Sequence, residues 1–130
     1  MLDTNVVSHF MRGHPAVDRA VVAHPRSELC ISAVTAGELL FGLHRHVGSL
    51  KVADATQRFM AQIATLPRDL AAARAYGALC VELERSGLPL APLDLLFAAH
   101  ALAVGAVLVT NDQAMLRLSD ITSEDWTRDV

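Results

Sequence analysis

The chain has 130 residues, of which 52% are hydrophobic and only 5% aromatic, and its formal charge at pH 7 is −3. That length is one domain spanning residues 1–130, with enough Ala, Leu and Val for a sizeable core. No apolar run reaches the roughly 18 residues of a membrane span, and an acid at position 3 breaks any signal-peptide pattern, so a cytoplasmic protein is expected.

In chain order, Met1 to Asp3 reads as the end of a short strand. A helix over Asn5 to Met11 stops near Gly13 and Pro15, and a second runs from Ala16 to Ala23 and ends at Pro25. Glu28 to Ser32 is a short apolar run bounded by polar residues, as in a buried strand. Ser32 or Thr35 caps the next helix, which reaches about His46, with Gly48 past its end. Apolar residues at Val52, Ala55, Phe59, Ile63 and Leu66 keep the helical period, so Leu50 to Leu66 is predicted helical. Asp69 caps a helix over Leu70 to Arg85, closed by Gly87 and Pro89, and these two helices are expected to form a hairpin. Pro92 precedes a buried helix from Asp94 to Val104, and Ala106 to Val109 is a second buried strand. A short helix follows Asp112, then a turn or strand near Asp120 to Thr122. Strands separated by helices pair in parallel with helices on both faces. The expected fold class is therefore α/β, a three-layer α/β/α arrangement with a small, mainly parallel sheet.

Cys30 and Cys80 sit in apolar segments and read as reduced thiols. The negative charge is weak evidence against a nucleic-acid partner. Setting aside Asp3, Glu38, Asp94 and Asp112 leaves 14 − 4 = 10 acids against 11 bases, and all but Lys51 of those bases are Arg. Arg is the side chain that meets phosphate through two parallel hydrogen bonds.

Those four acids stand next to apolar sequence, where an uncompensated carboxylate is costly to bury. Each has an ordinary explanation. Asp3, Asp94 and Asp112 can cap helices, and Glu38 can face solvent or pair with Arg45. Their topology favours a joint role. Asp3 and Asp112 follow strands, where sites gather in open parallel sheets, and Glu38 and Asp94 lie on flanking helices. Like charges at close range repel, and a hard divalent cation such as Mg²⁺ or Mn²⁺ relieves that repulsion through oxygen ligands. Such an ion activates water and neutralises phosphate charge in phosphoryl chemistry.

The stretches Leu2-Asp3-Thr4-Asn5, Gly37-Glu38-Leu39-Leu40-Phe41-Gly42, Leu93-Asp94-Leu95-Leu96-Phe97-Ala98-Ala99-His100-Ala101 and Leu108-Val109-Thr110-Asn111-Asp112 occur in this order. With the closing Ile121-Thr122-Ser123-Glu124-Asp125-Trp126, the chain resembles the PIN-domain ribonucleases, specifically the VapC toxins of bacterial toxin–antitoxin pairs. The resemblance implies a PIN-like fold and an Mg²⁺- or Mn²⁺-dependent endoribonuclease that cuts RNA. Several relatives cut tRNA. By position, Asp3, Glu38, Asp94 and Asp112 would form the catalytic acid pocket, with Asp3 and Asp94 as direct metal ligands joined by Glu38 and Asp112. Thr4, Asn5, Thr110 and Asn111 would support them. The implied partners are an RNA substrate, a VapB-like antitoxin and a second copy of the chain in a homodimer.

Relatives commonly carry apolar residues ahead of the Leu-Asp-Thr-Asn motif. Here Met1 and Leu2 alone precede Asp3, which predicts a clipped first strand or an upstream start, and a less rigidly placed Asp3. His100, nearly two turns after Asp94, reads as a core histidine with one satisfied nitrogen, against a minor role in hydrolysis. His44 and His46 complement a helix C-terminus. Arg12, Arg19 and Arg26 read as solvated, with RNA phosphates as the alternative contact. Two competing classes remain: a catalytically silent RNA- or protein-binding module on the same scaffold, and a phosphate-signalling receiver. The receiver needs a lysine at a late strand end, and Lys51 is mid-chain.

Overall fold

Backbone pairing at the N-terminus joins two small parallel ladders into one sheet. The computed structural model describes residues 1–128, so the last two residues of the domain expected over 1–130 lie outside the described residues. The elements are α1 (Thr4–Met11), α2 (Pro15–Ala23), β1 (Cys30–Ser32), α3 (Ala33–Arg45), α4 (Leu50–Gln62), β2 (Ala64–Leu66), α5 (Leu70–Ser86), α6 (Pro92–Val104), β3 (Leu108–Val109), α7 (Gln113–Leu116) and β4 (Ser123–Glu124). β1 pairs with β2 and β3 with β4, both in parallel. Between the pairs lies Leu2, bridged in parallel to Val109 while its N–H donates to the Cys30 carbonyl at 2.9 Å. The order across the sheet is therefore β2, β1, residues 1–3, β3, β4.

Side chains alternate through this sheet, as the two-residue period of extended backbone requires. Leu2, Ile31 and Val109 enter one core with Val6, Val17 and Phe59, contributed by α1, α2 and α4. Met1 and Leu108 enter the other with Leu79, Phe97 and Met115, contributed by α5, α6 and α7. This is the three-layer arrangement expected. The helix over Leu70 also ends as expected, at Gly87 in the left-handed region with φ 69°.

Several boundaries differ from the sequence expectation. The segment Leu50 to Leu66 is not one helix. α4 ends at Gln62, and Ala64–Leu66 becomes β2, in register Ile31↔Thr65 with β1. Ile63 and Leu66 keep helical spacing, but the edge of buried β1 offers unpaired backbone groups that β2 satisfies. The expected hairpin of the two central helices is also absent, because β2 intervenes. α5 packs along α6, and α4 packs on α3, α1 and β2. Pro92 is the first residue of α6 rather than its predecessor, and Ala91 stands at the cap position, so Asp94 lies in the first turn and caps nothing. Arg26–Glu28 forms a 3₁₀ turn, leaving the strand to begin at Cys30. The last strand is Ser123–Glu124, beyond the predicted Asp120 to Thr122. Cys30 and Cys80 are free thiols, half-buried rather than fully in the core. No helix among the described residues is long and apolar enough to cross a membrane.

Leu2 is almost fully buried at the centre of the sheet. Leu2→Ala should lower unfolding free energy by about 3 kcal/mol, within the range for a buried leucine that leaves a cavity. Urea denaturation checks this, and a loss below about 1 kcal/mol would contradict the central placement of residues 1–3.

Candidate active site

Asp3 is 6% exposed at the C-terminal end of the central bridge. Its backbone N–H donates to the Val109 carbonyl at 2.9 Å, and Val109 N–H in turn donates to the Met1 carbonyl at 2.9 Å. The Met1 ammonium adds a 2.7 Å bond to the Val107 carbonyl. The expected looseness of Asp3 is not found, because these backbone bonds hold residues 1–3. Both carboxylate oxygens are also engaged. Oδ1 accepts from the Thr4 N–H at 2.7 Å, the cap of α1, and Oδ2 accepts from the Thr110 hydroxyl at 2.9 Å.

The Thr110 hydroxyl links a second acid, since its oxygen accepts from the Asp112 N–H at 3.0 Å. Asp112 Oδ1 accepts from Met115 N–H at 3.0 Å and so caps α7. On the other side of Asp3, the Thr4 hydroxyl donates to Glu38 Oε1 at 2.8 Å. Thr35 on α3, buried and three residues before Glu38, brings its hydroxyl to 3.4 Å from that of Thr4. Sequence reasoning considered Thr35 only as a cap, and the cap is Ser32, whose oxygen accepts from Val34 N–H. The signal missed was the spacing that puts Thr35 on the Glu38 side of the helix.

Asp94 completes the group electrostatically. Its carboxyl is raised above the ordinary carboxylate range, first by burial and then by the nearby Asp112 and Glu38 charges. Asp3 is raised to about 6. Burial contributes most, the Thr110 and Thr4 bonds oppose it, and the Asp94 and Glu38 charges push it up again. The four carboxylates thus occupy one field, although only Asp3 is fully buried. None has an ion pair among the described residues. Of the expected supporting residues, Thr4 and Thr110 bridge the acids. Asn5 is exposed and makes no hydrogen bond to them, and Asn111 offers only its carbonyl, to Gln113, at 3.4 Å.

His100 is buried on α6. Its Nδ1 lies 2.7 Å from the Ser32 hydroxyl, and its Nε2 has no hydrogen-bond partner among the described residues. Burial chiefly, with Arg68 second, lowers its pKa. It is a core histidine with one satisfied nitrogen, and it ties the start of α3 to α6.

The donor set suits one kind of ion. Among the described residues no three His, Cys, Asp or Glu side chains converge tightly enough to ligate one ion directly. The groups that do approach are carboxylate and hydroxyl oxygens around a buried, cation-free Asp3. Mg²⁺ is commonly held by one or two carboxylates with water filling its shell, and soft metals require sulfur or imidazole. The residues fit a hard, water-rich divalent ion.

Parallel strands that deliver acids from their C-terminal ends, beside two acid-bearing helices, form an acidic site where open parallel α/β sheets bind their ligands. The model of the PIN domain family matches residues 1–121. The chain is 33% identical to a tRNA(fMet)-specific endonuclease VapC of Shigella flexneri, covering 98% of this chain and 97% of that one. Its fold superposes with TM-score 0.87 on a DNA-bound VapBC structure from Salmonella typhimurium, 32% identical over 97% of this chain and 96% of that chain. A VapBC2 structure from Rickettsia felis bound to a promoter DNA fragment gives TM-score 0.86 at 27% identity, with 95% and 96% coverage. The chain belongs to the PIN domain family, among its VapC members.

The raised Asp3 value has a stability consequence. A carboxyl that holds its proton better folded than unfolded stabilises below the unfolded value, near 4, and loses that contribution as pH rises through about 6. The loss amounts to about 3 kcal/mol. Metal-free wild-type protein should therefore lose thermal stability between about pH 4 and pH 6.5. Asp3→Asn should flatten that slope. Parallel pH profiles for the two proteins would contradict the burial of an uncompensated Asp3 charge.

Proposed function

We propose that the protein is an Mg²⁺- or Mn²⁺-dependent endoribonuclease toxin, silenced by a VapB-like antitoxin and acting as a homodimer. The single observation that carries this reading is the uncompensated field of Asp3, Glu38, Asp94 and Asp112, joined through the Thr4 and Thr110 hydroxyls. A structural acid cluster would be expected to carry arginines, and among the described residues none is paired with these acids. The relatives' names support RNA as substrate, and that of the Shigella flexneri protein supports tRNA in particular. The VapBC complexes support the antitoxin. Leu40, Phe41, Val47 and Leu50 are exposed around the α3–α4 turn, and such an apolar strip suits a protein partner.

Asp3 and Asp94 would hold the ion. When bound, the ion lowers the pKa of a coordinated water and offsets charge on the scissile phosphate. Asp3 is fixed for that task by its two side-chain bonds, so it can approach an ion without rotamer loss. The Thr4 hydroxyl orients the Glu38 carboxylate, the Thr110 oxygen holds the Asp112 backbone, and the Met115 N–H fixes the Asp112 carboxylate. Glu38 and Asp112, both partly exposed, would orient a water and accept its proton as that water attacks the phosphorus and the phosphodiester bond is cut.

Asp94→Ala should reduce RNA cleavage by more than about 100-fold, at least the loss seen for residues that merely support a metal ligand. Its thermal melting should stay intact, because Asp94 caps no helix. Calorimetric Mn²⁺ binding should be lost in Asp94→Ala and Asp3→Asn and retained in Arg85→Gln. Wild-type cleavage by a folded Asp94→Ala protein would refute the site, and undiminished cleavage in chelator would refute the metal.

A further inference from the structure

The acid site poses a problem for its own substrate, because four carboxylates repel a phosphate chain. Attraction has to come from neighbouring cations. Two adjoining clefts of about 370 and 440 Å³ lie between α1 and α4 and share Met11, Lys51 and Ala55. Arg12, Arg26 and Lys51 line them, and none of the three has an acidic partner among the described residues. Arg58, also on the wall, is paired with Asp54 at 3.1 Å, and Asp54 is the one acid lining either cleft. Arg12, Arg26 and Lys51 thus stand without an ion pair along a wall that also carries Ser8, Thr56 and Gln62, with Phe59 buried beneath it.

Helix α1 runs from the acid site to the groove. Thr4, Ser8 and Arg12 recur every four residues, so they share one side of α1. Thr4 bonds Glu38, Ser8 lines the larger cleft, and Arg12 stands at its rim with Nε donating to the Ser8 carbonyl at 3.3 Å. Eight residues of helix rise about 12 Å. That bond holds the Arg12 side chain while its terminal amino groups stay free to meet an anion.

We propose that the α1–α4 groove is a backbone track for single-stranded RNA leading to the acid site, with Arg12 and Lys51 as its phosphate contacts and Arg26 extending it. Cations along the groove meet phosphates, which carry no sequence information, and a flexible single strand can follow so narrow a groove with its backbone. The track rests on the ribonuclease reading for its biological use, but its ligand chemistry can be measured without cleavage.

The test compares wild type with the Arg12→Gln/Lys51→Gln double variant, and with Arg74→Gln/Arg85→Gln on α5 as a control for charge alone. A short fluorescein-labelled single-stranded RNA is titrated by anisotropy, without divalent ion, over a range of NaCl. The groove variant should bind about tenfold more weakly, and its plot of log affinity against log salt should be shallower by about 1.4, two single-strand phosphate contacts at about 0.7 each. The control should stay within about twofold at an unchanged slope. In cleavage with Mg²⁺ or Mn²⁺, KM should rise by a similar factor while kcat holds, because neither residue touches the acids. Unchanged RNA affinity and slope in a folded groove variant overturns the track, and so does loss of an acidic protein partner with RNA binding intact. If wild type binds RNA with these properties yet cleaves none, the track stands and the nuclease reading falls. Cleavage indifferent to the groove variant gives the reverse.

Discussion

Residues 1–3 are held between β1 and β3 by backbone hydrogen bonds, and the geometry of the site follows from that insertion. Asp3 leaves the sheet with its N–H on Val109 and its carboxylate already bonded on both oxygens. It cannot swing away to solvent to relieve its charge. Burial therefore acts on a fixed anion, with the neighbouring carboxylates adding a smaller push, and its protonation is displaced upward. Leu2 is bridged to Val109 on one side and donates its N–H to the Cys30 carbonyl on the other.

The elements that carry the other acids are coupled to this point by neutral groups. Thr4 reaches Glu38, and Thr110 reaches Asp112. The Ser32 hydroxyl, which caps α3, also meets His100, so the helix bearing Glu38 is pinned to the helix bearing Asp94. His100 is suited to this because burial favours its neutral form. A cationic residue in its place would have discharged the field that the acids share. Hydroxyls and a neutral imidazole give rigidity without charge compensation, and the carboxylates stay available to an exogenous cation.

Charge is separated over the surface rather than mixed. The net charge of −3 conceals an acid centre and, along α1 and α4, a run of cations with few acids between them. That separation is consistent with a polyanionic substrate whose reacting phosphate is received at the acids and whose remaining chain is received elsewhere. Bulk charge alone points the other way, because an average over the chain says nothing about where its charges lie.

The acids, their order and the layer architecture could be read from the chain because each depends on local chemistry: hydrophobic runs, caps, and short motifs whose order matches a family. Asp3, Ser32, Asp69 and Asp112 all cap the helices that follow them, and local hydrogen bonding suffices to predict that. Tertiary structure alone decided what depends on contacts distant in sequence. Ala64–Leu66 turned from helix to strand because β1 had an open edge, and α5 chose α6 over α4 as its neighbour. Thr35 became part of the site, and Asn5 did not, because hydroxyl contacts across more than thirty residues are set by packing. The rigidity of Asp3 was likewise invisible from a two-residue lead-in, because it comes from strands 30 and 109 residues into the chain that approach it only after folding.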